Sequence, residues 1–134
     1  SIKDFAQTLD IPQGTLVFTG EQTPNEVADW LSRSDLFVMF SNYETACVVV
    51  MESLAAGVPV VATPTGIVPD FINDNNGQIV DFDDVDALAE KMNMMLDHLD
   101  RYDSSSIRAV AEVFRSRYVG QEFINEYDKA LGSD

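Results

Sequence analysis

Two glutamates eight positions apart, Glu44 and Glu52, bracket the run Thr45-Ala46-Cys47-Val48-Val49-Val50-Met51. An ionised carboxylate accepts charge-assisted hydrogen bonds from two neighbouring hydroxyls, so a pair of acids suits a hydroxyl-rich ligand. The chain between them enters a helix, whose first N–H groups and dipole suit phosphate. A ligand carrying ribose, diphosphate and a sugar finds each kind of contact in this one segment. Glu44 at the loop tip can reach such a sugar, the N–H groups from Ala46 to Val48 can face a diphosphate, and Glu52 can reach a ribose. Spacing alone leaves a second reading open, in which Glu44 caps the helix and Glu52 is an exposed helical acid.

The elements around this segment set its place. Residues 36–40 form a continuous apolar run, as expected of a strand covered on both faces. The helix begins at about Cys47 and stops at Gly57. A second apolar run, residues 58–61, follows at once, with Pro59 confined to a place where no ladder needs its N–H. Upstream, residues 16–18 read as a short strand ending at Gly20. Thr23, Pro24 and Glu26 read as N-cap, first helical position and capping-box acid. Val27, Trp30 and Leu31 make that helix's apolar face, with Trp30 in the core. Residues 1–9 read as the end of a helix on the spacing of Ile2, Phe5, Ala6 and Leu9.

Downstream, Asn76-Gly77 is a turn and residues 78–80 a small strand. Acids at 83, 84 and 86 start a helix, where they favour the macrodipole rather than form a calcium loop. Further helices run from Ser104 or Ser105 through Phe114, and over Phe123, Ile124, Tyr127 and Leu131. Strands alternating with helices give parallel βαβ units and a three-layer α/β domain. A loop after such a strand faces the crevice at the carboxyl ends of the sheet, where α/β folds bind ligands.

Composition narrows the classes. The chain has 134 residues, enough for one domain, and no apolar run near the roughly 20 residues of a membrane-spanning helix. Eight basic against 23 acidic residues give a charge of −15, which argues against nucleic acid as partner. The single cysteine, Cys47, excludes an internal disulfide. As a nucleophile it needs a base, and the single histidine, His98, sits at the end of a distant helix. A phosphoacceptor receiver domain fits the size and acidity but lacks a lysine at a strand end; Lys91 and Lys129 read as helical.

The whole string, residues 36–41, Tyr43-Glu44, the run 52–63, then Gly66, Pro69-Asp70 and Asn76-Gly77, resembles the C-terminal domain of the GT-B retaining glycosyltransferases of family 4. The resemblance covers about residues 15–98 and includes that family's acid–seven residues–acid motif. It implies a Rossmann-like three-layer parallel sheet, a partial GT-B C-terminal domain with extra C-terminal helices, occupying residues 1–134 as one donor-binding unit. It implies transfer of a hexose from a nucleotide-diphosphate sugar to a glycan or lipid-linked acceptor, with no metal cofactor. Glu44 would be the catalytic and sugar-contacting acid, residues Thr45, Ala46, Cys47 and Val48 the phosphate contacts, and Glu52 the ribose contact.

Three departures stand out. The family's Gly-Phe-Gly is Thr45-Ala46-Cys47 here, which puts a side chain where phosphate approaches closely. Its Gly-Gly before the Pro-acid pair is Thr65-Gly66. Its upstream Arg and Lys, which neutralise the diphosphate, have no counterpart, so the first βα unit and the N-terminal acceptor domain are expected to lie outside this chain. The parent is expected in the cytoplasm, peripherally at the inner membrane face, and truncated apolar faces favour dimers. The alternative is a non-catalytic nucleotide-sugar-binding or regulatory α/β module.

Overall fold

The computed structural model describes residues 1–44 and 47–114. Its element order is α1 (Ile2–Gln7), α2 (Pro24–Ser32), β1 (Phe37–Met39), α3 (Val48–Ala56), β2 (Val60–Ala62), α4 (Val68–Phe71), β3 (Gly77–Ile79), α5 (Val85–Asp97) and α6 (Ser104–Ala111). Single 3₁₀ turns follow α5 and α6, at Leu99–Arg101 and Glu112–Phe114. The strands form a parallel sheet in the order β1-β2-β3, with Val38 opposite Val61 and Val61 opposite Gln78.

The sheet separates two apolar clusters, which makes the domain three-layered. Val60 and Ala62 point into the larger cluster, with Val50, Met51 and Leu54 of α3, Val68 of α4, and Ile107 and Ala111 of α6. Val61 points the other way, against Val80 and Met95, with Leu88 and Met92 of α5 packed alongside. A strand buried on both faces must be apolar at every position, and β2 is buried throughout. Pro59 lies just before it, and its carbonyl accepts from the Phe37 amide at 2.9 Å, so its missing N–H costs the ladder nothing.

The helix ends follow local chemistry. Thr23 and Glu26 form the expected capping box on α2. Asp84 caps α5 and Asp103 caps α6 through the backbone amides of Ala87 and Ser106, each at 2.8 Å. Gly57 ends α3 at φ 80° and sits against Ser104 and Arg108 of α6. Arg108 donates to the carbonyl of Ala56 at 3.2 Å, satisfying one of the orphan carbonyls at the end of α3. His98 is the exposed C-cap of α5.

Four readings of the sequence change. Residues 16–18 are not a strand: among the described residues nothing supplies a ladder beside them, and all three side chains are exposed. Trp30 is 42% exposed rather than core; its indole N–H donates to Gln22 at 3.1 Å and the Arg33 guanidinium lies 4.9 Å from its ring. The first helix stops at Gln7, before Leu9. The helix from Ser104 ends at Ala111 and tightens into the 3₁₀ turn, short of Phe114. The final helix, over Phe123 to Leu131, lies outside the described residues.

Candidate donor site at the carboxyl edge of the sheet

The loops that leave β1, β2 and β3 meet at one edge. The Thr63 hydroxyl, fully buried after β2, donates to the carbonyl of Ser41 after β1. The Ser41 amide donates back to the same Thr63 oxygen at 3.2 Å. Asn42 reaches Asp83, in the loop between β3 and α5, at 3.3 Å. Three successive carboxyl-end loops are therefore tied together, and Glu44 rides on the first of them, half-buried.

The start of α3 is unusual. Its N-cap is Cys47, held at φ 47° and ψ 44°, with no side-chain cap. That left-handed backbone costs an L-residue roughly 1–2 kcal/mol and suits glycine. It coincides with the second glycine of the family's Gly-Phe-Gly. The Cys47 side chain compensates by being buried: its thiol faces the Thr65 carbonyl at 3.6 Å and the Thr65 hydroxyl at 3.8 Å. The expectation that this side chain stands in the path of a phosphate is thus overturned. The αL backbone turns it into the protein, where it is 4% exposed.

With no side-chain cap, the amides of Cys47, Val48 and Val49 have no acceptor among the described residues. Glu44 accepts from none of these three amides. Val48, at the first helical position, is 62% exposed, and Glu52 lies four residues further along the same face, half-buried. Neither Glu44 nor Glu52 has a hydrogen-bond or ion-pair partner among the described residues. Thr45 and Ala46 lie outside the described residues.

Among the described residues, no basic side chain pairs with Glu44 or Glu52. Lys3 sits over the Phe18 ring, Arg33 pairs with Asp29 at 2.7 Å, and Arg108 holds the far end of α3. Lys91 is in α5, and Arg101 follows it in the 3₁₀ turn. Among the described residues no group of three or more His, Cys, Asp or Glu side chains could hold a metal ion. None of their helices is long and apolar enough to cross a membrane.

Sequence reasoning missed Thr63 and the αL turn at Cys47. The signal for the first was a lone polar residue closing an apolar strand. For the second it was the family's glycine at that position.

The family profile of the glycosyl transferases group 1 matches residues 1–109, and the chain belongs to that family. It is 32% identical over 121 residues to a GDP-mannose-dependent alpha-mannosyltransferase of Mycolicibacterium smegmatis, covering 88% of this chain and 32% of the relative. It is 29% identical over 110 residues to the lipopolysaccharide core biosynthesis mannosyltransferase LpsB of Rhizobium meliloti, covering 80% of this chain and 31% of that protein. Its fold matches sucrose-phosphate synthase from Thermosynechococcus elongatus with a TM-score of 0.84 at 22% identity, over 99% of this chain and 34% of that one. The fold is thus the Rossmann-like α/β type of GT-B enzymes, and the chain spans about a third of the length of these relatives.

Proposed function

We propose that the chain is the donor-binding, C-terminal domain of a retaining family 4 glycosyltransferase. The whole enzyme moves a hexose from a nucleotide-diphosphate sugar to a glycan or lipid-linked acceptor in the cytoplasm, with no metal cofactor. One observation carries this reading: among the described residues, the start of α3 has no side-chain cap, and Glu44 before it and Glu52 within it have no partner, on the segment that leaves β1 of a parallel sheet. A half-buried carboxylate without a partner among the described residues is available to ligand hydroxyls, and helix-start amides without one are available to an anion. Glu44 receives the sugar hydroxyls, the main chain of residues 45–48 the diphosphate, and Glu52 the ribose. Relatives named as GDP-mannose-dependent support a nucleotide-sugar donor.

A second reading, a domain that holds the nucleotide sugar without cleaving it, draws support from the described residues, which place no basic side chain against Glu44 or Glu52. A departing diphosphate needs more compensation than a helix dipole of about half a charge supplies.

Calorimetric titration of the chain with GDP-mannose and UDP-glucose tests the site. Binding of one donor is expected, weakened about tenfold or more by Glu52→Gln or Glu44→Gln through loss of a charge-assisted bond. Donor binding untouched by both substitutions would overturn the assignment. Transfer assays on a longer protein carrying this domain separate the two readings.

A further inference from the structure

We infer that Thr63 is a positioning residue for the donor site: it fixes the loop that carries Glu44, and Thr65 fixes the other end of the same loop. This rests on the donor reading given above. Segment 41–47 joins β1 to α3 and contains the proposed sugar and phosphate contacts. Its first residue, Ser41, is held by Thr63 through both its amide and its carbonyl. Its last residue, Cys47, is held through its thiol by the Thr65 carbonyl. Both threonines are buried and belong to the loop after β2, which is itself locked by the Thr65 amide donating to the Thr63 carbonyl at 2.8 Å. Thr63 also continues the sheet, its amide donating to Met39 at 3.1 Å.

Ser41, three residues before Glu44, is thus anchored through both of its backbone groups by one buried side chain. Anchoring the chain that carries a carboxylate lowers the cost of ordering it when a ligand arrives. Neither threonine needs to touch the ligand. Their hydroxyls and carbonyl are spent on the loop's own backbone and thiol.

Thr63→Val keeps the shape and removes both bonds to Ser41; Thr63→Ser keeps the hydroxyl. In the same donor titrations, Thr63→Val is expected to weaken binding about tenfold, and Thr63→Ser to stay within about twofold of the unaltered chain. Hydrogen exchange at the Ser41 amide should accelerate in Thr63→Val and not in Thr63→Ser. A purely structural threonine would lower the folded fraction but leave the folded protein's affinity alone. The loss should also be non-additive: Thr63→Val combined with Glu44→Gln should weaken binding by less than the product of the single factors. If Thr63→Val does not fold, Thr63→Ala carries the same comparison.

Unchanged affinity in Thr63→Val beside a clear loss in Glu44→Gln would overturn this inference and leave the donor site standing. Multiplying factors in the double variant would overturn it too. Failure of the unaltered chain to bind either donor would instead sink the donor reading, and the inference with it.

Discussion

Apolar residues are placed very differently before and after Leu31. From β1 to α6, strands and helices bury their apolar sides in the two clusters on either face of the sheet. In residues 1–30 the same residue types mostly face water: Ile2 is 74% exposed, Phe5 63% and Val17 67%, and α1 buries nothing. Both regions have good local chemistry, since α1 and α2 each carry a complete capping box. Capping and amphipathic spacing make a helix, but only a second surface makes a core. In the later region β2 offers that surface on both faces. In the earlier one, no described strand stands beside residues 16–18 to extend the sheet toward α1. The described residues of the candidate site lie in the packed region, with Cys47 in its larger cluster.

The contrast breaks if truncation costs the same on both sides. Leu54, fully buried between β2 and α6, should lose about 4 kcal/mol as Leu54→Ala, read by chemical denaturation. Phe5→Ala should change stability by less than about 0.5 kcal/mol. Equal losses would show that α1 is packed in solution.

Glycines give a second, somewhat smaller test. A methyl group on Gly77 would fall on the carbonyl oxygen of Val60 in the neighbouring strand, so Gly77→Ala should cost about 3 kcal/mol by forcing β2 and β3 apart. Gly14 has φ +88° and open space around it, so Gly14→Ala pays only for its backbone, about 1 kcal/mol. Denaturation midpoints compare the two directly. Next comes Thr63→Val, which leaves the Ser41 amide and carbonyl unpaired and should cost about 2 kcal/mol by the same measurement.

The smallest effect is one of pH, and both regions share it. Hydrogen bonds from the backbone and then the hydroxyl of Thr23 hold Glu26 below the usual carboxylate range. The Ser106 hydroxyl and then its amide do the same for Asp103. A depressed folded-state value means that each cap contributes fully above the ordinary carboxylate range. The contribution is lost as pH falls through the lowered value. Acid titration of stability should therefore show a modest decline below that range. Asp103→Asn, which still caps but does not titrate, should flatten part of it; an unchanged slope would exclude Asp103 as a contributor.

How much of this was legible beforehand varies with the range of the interactions. The apolar runs at β1, β2 and β3, the capping box at Thr23 and the stop at Gly57 were readable because each pattern is written in its own few residues. Trp30 was misread because its helical spacing shows which face is apolar, not whether anything covers that face. Residues 16–18 were misread because a strand exists only with a ladder beside it. At the site, Glu44 and Glu52 were legible as an acid pair in context, whereas the thiol's inward turn at Cys47 was not.

The sequence by itself determined the order of elements, the alternating apolar pattern that makes a parallel three-layer sheet, and the two acids flanking a helix start. Those follow from propensities and spacings within a few residues. Only the tertiary structure decided that Thr63 and Thr65 pin both ends of the Glu44 loop, that Cys47 is left-handed and buried, and that the first thirty residues stay largely uncovered. Each of those depends on contacts between residues far apart in the chain, such as Ser41 with Thr63 and Gly57 with Ser104, and no local pattern encodes which distant group will be there.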